Sequence, residues 1–203
     1  YIGLATVAMK FDYNEAATWY NMYLAKEEEI NIKNPKVYVA VAKKIAKWFY
    51  SGSVIKKNIA SGVDCYEKAA NFEDAEAEFE VGVAYYCGMG KEKNNENAFW
   101  WLNKAYEHGE KRAAMLLGDC YYNGYGCTID YENAFDCYLT LSDKNYQAQY
   151  KLGICYELGR GCEQNYQFAC YYYEKAAKAG LRSARVRLNE IKEKGGYKDD
   201  SNK

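Results

Sequence analysis

Proline is almost missing from this 203-residue chain, with Pro35 the only one. Such a chain suits long helices better than a turn-rich β architecture. Histidine is just as scarce, and His108 stands alone. One histidine with no C-x₂-C pair is a poor donor set for tetrahedral zinc. A Cys–His dyad would also need an orienting group and an oxyanion hole, and no such constellation is visible. No apolar run reaches the roughly 18 residues of a membrane-spanning helix. An excess of either charge is lacking too: 27 Lys and Arg face 28 Asp and Glu, for a net charge of −1. A polyanion-binding surface normally wants a basic excess, so a nucleic-acid scaffold is disfavoured. The basic runs Lys43–Lys44–Lys47 and Arg182–Arg185–Arg187 read as solvated helix faces. The opening YIGLATVAM lacks a basic start and runs into Lys10 and Asp12, unlike a signal peptide. A cytoplasmic location is expected. Secretion or a periplasmic location stays open, since the chain has no initiator methionine.

What is abundant is tyrosine, 23 residues, and a repeat. Gly88, Gly124 and Gly159 recur at steps of 36 and 35, each followed two residues later by Gly90, Gly126 and Gly161. Gly82, Gly118 and Gly153 precede them; Ala98, Ala134 and Ala169 follow, and then Trp101, Cys137 and Tyr172. A looser copy holds Ala46, Gly52, Gly62 and Cys65. Asp12 to Tyr20 matches the second half of a still earlier one. A period of this length signals a helical array, and about ten helices are expected. A phosphate-binding glycine loop occurs once and follows a strand. These glycines recur after a helical pattern, so they are turn chemistry.

Within a repeat, Ala113, Leu117, Cys120 and Tyr121 lie at helical spacing. Gly124 ends that helix in a left-handed conformation, and Gly126 lets the loop reverse. Asp130, with Asn94, Asn165, Asn58 and Asp12, stands where an N-cap belongs. The second helix carries Ala134, Cys137, Tyr138 and Leu141, and successive copies stop near Gly109, Asn145 or Gly180. The glycines inside the first helices cost about 0.8–1.0 kcal/mol each relative to alanine. Close approach of the paired helix, across small contacts such as Ala98, Ala134 and Ala169, is the expected compensation. One pair cannot bury its apolar face alone, whereas stacked pairs can.

The order alanine, Leu–Gly, tyrosine, Gly-x-Gly, Asp/Asn, alanine, aromatic, Lys–Ala resembles the Sel-one-like repeat family. Ala148, Leu152–Gly153, Tyr156, Gly159–Gly161, Asn165, Ala169, Tyr172 and Lys175–Ala176 carry the match. Thr140–Leu141 departs from Lys–Ala in one copy, and the 46–70 copy lacks the second loop glycine. The resemblance implies an all-α solenoid of antiparallel helix pairs, tetratricopeptide-like and wound as a right-handed superhelix. It would fill residues 1–194 as one domain. The best repeats are 77–112, 113–147 and 148–183; weaker copies lie at 1–35 and 36–76, and a terminal helix at 184–194. The surplus around Lys26–Pro35 reads as a lengthened helix end and loop, and 195–203 as a disordered tail.

The resemblance also implies a non-enzymatic adaptor or scaffold for a protein or peptide, without cofactor, metal, catalytic residue or small-molecule substrate. The alternatives are a regulatory or targeting domain of a larger protein and, further off, a nucleic-acid-binding solenoid. In tetratricopeptide-like solenoids the first helices line the concave face. Helical spacing puts Lys47, Tyr50, Phe79, Val83, Tyr86, Met115, Asp119, Tyr122, Tyr150, Ile154 and Glu157 there, with Tyr50, Tyr86 and Tyr122 as a ladder. The competing reading is that these tyrosines complete the packing between repeats. His108 is expected to cap the negative end of its helix. A disulfide-stapled relative of the family exists among secreted bacterial proteins, so bridges among the eight cysteines are an alternative to free thiols.

Overall fold

The computed structural model describes residues 35–53 and 55–193. Residues 1–34 of the first copy, with all of the Lys26–Pro35 surplus but Pro35, and residues 194–203, the last of the expected terminal helix and the tail, lie outside the described residues. Among the described residues the chain is all-α. Its helices are α1 (Pro35–Ser51), α2 (Ile59–Ala70), α3 (Ala75–Cys87), α4 (Asn95–Glu107), α5 (Ala113–Asn123), α6 (Tyr131–Leu139), α7 (Tyr146–Leu158), α8 (Tyr166–Lys178) and α9 (Arg182–Glu193). The chain divides between Glu110 and Lys111 into two compact units. The first holds α1–α4, the second α5–α9. Within each unit, consecutive helices pack against one another.

The boundaries follow from capping. Asn58, Asn94, Asp130 and Asn165 each turn a side-chain oxygen onto a backbone N–H of the first turn they precede. Gly88, Gly124 and Gly159 close α3, α5 and α7 in the left-handed conformation. Asn145 departs from expectation. It does not stop α6 but caps the start of α7, with φ −110°. The second helix of that pair ends earlier, at Leu139, through Thr140.

The glycines inside the first helices do make room, but for large side chains rather than small ones. A Cβ on Gly118 would lie 2.7 Å from the Tyr138 ring, and one on Gly153 would lie 2.5 Å from the Tyr173 ring. Both tyrosines are fully buried. In the first pair the arrangement is inverted. Gly62 sits on the second helix and receives the Tyr50 ring of the first. The second loop glycine also serves a purpose that its spacing alone does not convey. Gly161 lies against the Tyr131 carbonyl and Gly90 against the Ile59–Ala60 backbone. Each loop thus seats on the N-terminus of the second helix of the preceding pair, where any side chain would collide.

Candidate partner-binding face

In the first unit the first-helix face is built from α1 and α3. Lys43 Nζ donates to Asp74 Oδ2 at 2.9 Å and to Glu76 Oε2 at 2.8 Å. Lys47 Nζ donates to the other oxygen of Glu76 at 2.9 Å. These hydrogen bonds hold the Glu76 carboxyl down at about 2. The basic run on α1 is therefore more than a solvated face, because two of its lysines tie α1 to α3. Tyr50 is half-buried against Gly62 and packs edge-on to Tyr66, with centroids 5.7 Å apart. Burial, with Glu80 adding, pushes its hydroxyl up to about 12. Phe79, Val83 and Tyr86 lie half-buried along α3.

In the second unit the same face is built from α5, α7 and α9. Asp119 accepts from the Tyr138 hydroxyl and from Lys151 Nζ, both at 2.7 Å, so it joins α5 to α6 and α7. Glu157 plays the corresponding part on α7. It accepts from the Tyr173 hydroxyl at 2.6 Å and lies 3.6 Å from Arg187 of α9. The hydroxyl oxygen of Tyr122 accepts from Arg160 at 2.6 Å, and that guanidinium also lies over the Tyr122 and Tyr131 rings. Met115 packs among the residues around Leu152, while Tyr150 and Ile154 pack against the cluster of α8 and α9. Tyr150 is tilted onto Tyr173 with centroids 5.6 Å apart. It also borders an open cavity of about 400 Å³ with Arg182, Ser183, Val186, Arg187 and Glu190.

The structure thus sets Tyr150 in a groove beside α9, while Glu157 pairs with Arg187 of its lining. Tyr50 and Tyr122 have their rings engaged inside their own units. Spacing alone did not mark α9 as part of this face. Its Ala184 and Leu188 stand where Ala148 and Leu152 stand in α7, which is the signal that could have placed Arg182, Val186 and Arg187 beside Tyr150. Exposed aromatics also occur on second helices: Trp100 on α4, and Phe168 and Tyr171 on α8, each about half exposed. Lys104 lies 4.4 Å from the Trp100 centroid and Lys175 lies 4.9 Å from that of Tyr171. The loop edge of the second unit carries an open cavity of about 610 Å³ lined by Asp130, Tyr131, Glu132, Gly161, Cys162 and Glu163, among others.

The scarce or reactive groups are occupied structurally. His108 is the C-cap residue of α4, and its imidazole also reaches across to α3. Nδ1 lies 2.7 Å from Oε2 of Glu78, a fully buried carboxylate on α3. All eight cysteines are free. Burial pushes Cys120, Cys137 and Cys155 up to about 12 and Cys65 to about 11, away from the thiolate that nucleophilic chemistry needs. Cys127 Sγ donates to the Cys120 carbonyl at 3.5 Å. Among the described residues no three His, Cys, Asp or Glu side chains cluster as metal ligands, and no helix is long and apolar enough to cross a membrane.

Comparison with known proteins agrees with this repeat geometry. A family model described as Sel1 repeat matches residues 41–71, 75–110, 111–146 and 147–181. A Sel1 repeat protein from Oxalobacter formigenes is 29% identical with a TM-score of 0.69, over 89% of this chain and 70% of that one. The protein c5321, a protective antigen of uropathogenic Escherichia coli displaying an SLR fold, is 25% identical with a TM-score of 0.72. That match covers 89% of this chain but only 37% of the antigen. No curated protein matches the sequence. Sel1 repeats commonly mediate protein–protein interaction, and proteins built from them are typically non-enzymatic scaffolds. With four repeats matched over most of its length and an all-α helical repeat solenoid fold, the chain belongs to the Sel1 repeat family.

Proposed function

We propose that this chain is an adaptor that holds a peptide or protein segment on its first-helix face, chiefly in the groove between α7 and α9. The observation that carries the reading is the open cavity at Tyr150. There an aromatic ring braced by Tyr173 adjoins the exposed Val186 and two arginines. A rigid aromatic with nearby guanidinium groups, set in a groove, has the makeup of a binding anchor. Elsewhere on this face Lys43, Lys47 and Lys151 are tied to neighbouring carboxylates, which suits them to bracing the stack.

Site-specific photo-crosslinking tests this. A benzophenone amino acid is placed at Val186 in one variant and at Tyr171 on the second-helix side in another. The variants are irradiated in extract, and the adducts are identified by mass spectrometry. The same partner captured through position 186 and not through 171 is the expected result. Adducts formed through 171 alone would move the partner face to the second helices.

A further inference from the structure

α9 forms one wall of the groove, and its own sequence gives that wall little support. Asn or Asp caps the starts of α2, α3, α4, α6, α7 and α8. Leu181, which precedes α9, has no side-chain acceptor to offer. The first turn of α9 carries Arg182 and Arg185 and no acid, and its last turn carries Glu190 and Glu193 beside Lys192. Cations therefore meet the positive end of the helix dipole and carboxylates its negative end. A 12-residue helix of this kind depends on its packing. Two of its residues are buried, Ala184 and Ile191, whereas α7 buries five.

That packing is uneven. Toward α8, Ala184 and Ile191 enter the cluster of Ala169, Cys170 and Tyr173, and Lys192 Nζ donates to Glu174 Oε1 at 3.1 Å. Toward α7 stands the open cavity of about 400 Å³. There Arg187 Nη1 lies 3.6 Å from Glu157 Oε1, with the arginine side chain 44% exposed. An ion pair so open to water contributes little. Glu190 of α9 itself lies 3.3 Å from the same nitrogen, so Arg187 keeps a carboxylate when it leaves Glu157. The floor of the groove does not depend on α9. Tyr150 is tilted onto Tyr173 of α8, whose hydroxyl donates to Glu157 of α7 at 2.6 Å. In the turn that joins α8 to α9, Gly180 has φ 99°, and a Cβ there would meet nothing within 4 Å. The turn has the backbone freedom and the room for the helix beyond it to move.

We propose that α9 is a strap over the groove that opens and closes as one body, with the turn at Gly180 as its hinge and the Arg187–Glu157 pair as its latch. Opening bares the Tyr150 floor to an incoming segment, and closing sets the exposed Val186 against it. This rests on the reading of the groove as the partner site and adds how entry to it is controlled.

The chain carries its own reporter of opening. Cys170 is 2% exposed and shares the cluster that Ala184 and Ile191 enter, whereas Cys155, also buried, belongs to the cluster of α6 and α7. Two measurements on the folded chain test the strap. In hydrogen exchange read amide by amide, Arg185 to Glu193 are expected to share one level of protection, at least about ten-fold weaker than that of α7 and α8. In iodoacetamide labelling resolved by mass spectrometry, Arg187→Gln is expected to speed Cys170 by about two- to five-fold and to leave Cys155 unchanged. The exchange measurement uses the unmodified chain, so it decides the matter even if Arg187→Gln melts early. Protection that falls off gradually towards Glu193 is end fraying and overturns the proposal. So does exchange of α9 together with α8, or a variant that leaves Cys170 unchanged or speeds both thiols alike. Crosslinking through position 186 reads the partner face separately. Adducts there without independent opening of α9 would refute the strap and keep the groove, and independent opening without adducts would keep the strap and refute the groove as the partner site.

Discussion

Gly153→Ala puts the packing logic of the repeat to a quantitative test. Helix propensity alone predicts that alanine stabilises an interior helical position by about 0.8–1.0 kcal/mol over glycine. The structure predicts the opposite sign. The added methyl would sit 2.5 Å from Cδ1 and Cε1 of Tyr173, a ring with no exposed surface whose hydroxyl donates to Glu157 at 2.6 Å. The ring must retreat. Overpacking of a closed core costs about 1–3 kcal/mol, and loss of a hydrogen bond to a charged acceptor costs about 1.5–3 kcal/mol. Less the propensity gain, the net loss is about 1.5–5 kcal/mol. Urea unfolding followed by circular dichroism gives the stability from midpoint and slope. In a Tyr173→Leu background the same substitution should cost markedly less, because the obstructing ring is gone. A Gly153→Ala protein as stable as the parent would show that the glycine is not there to admit the ring, and the account of all the mid-helix glycines would fail with it.

Two further outcomes follow from the electrostatics and the thiols. The folded-state pKa of Glu76 is depressed from 4.5 to about 2 by its hydrogen bonds to Lys43 and Lys47, so its contribution is present above about pH 4.5 and lost as pH falls toward about 2. Glu76→Gln should therefore flatten the acid limb of the stability profile over that window, and an unchanged limb would count against the α1–α3 clamp. Alkylation at pH 8 should label the exposed Cys87 first and the buried Cys120, Cys137 and Cys155 last, with eight thiols reacting in unreduced, denatured protein. Fewer than eight would mean that bridges exist.

Much of the fold is legible in the sequence because its signals are local. Caps at Asn94, Asp130 and Asn165, and left-handed stops at Gly88, Gly124 and Gly159, are each decided within a few residues of chain. What periodicity could not supply is the identity of the group across the contact. It marked Gly118 and Gly153 as places of close approach, but which side chain arrives is settled by the partner helix, and the arrivals are Tyr138 and Tyr173. Gly161 read as a turn residue because the Tyr131 backbone that crowds it is 30 residues away in the chain. The helix-end place of His108 is legible, but its contact with Glu78 is not, because Glu78 meets it from α3, 30 residues away. The partner-face residues show the same boundary. Helical spacing selects a stripe, yet within that stripe Tyr50 turns onto Gly62 and Tyr122 meets Arg160, while Tyr150 opens onto a cavity. The cavity itself needs α9, whose arginines carry meaning only once packed beside α7.

Chemical-shift mapping of the ¹⁵N-labelled chain, titrated with the partner captured through position 186, tests the central claim most directly. The account predicts saturable shifts centred on the amides of Tyr150, Ser183, Val186 and Arg187, with those of Phe168 and Tyr171 on the second-helix side unmoved. Shifts centred on α8 or on the Asp130–Glu163 loop edge, with the α7–α9 groove silent, would contradict it.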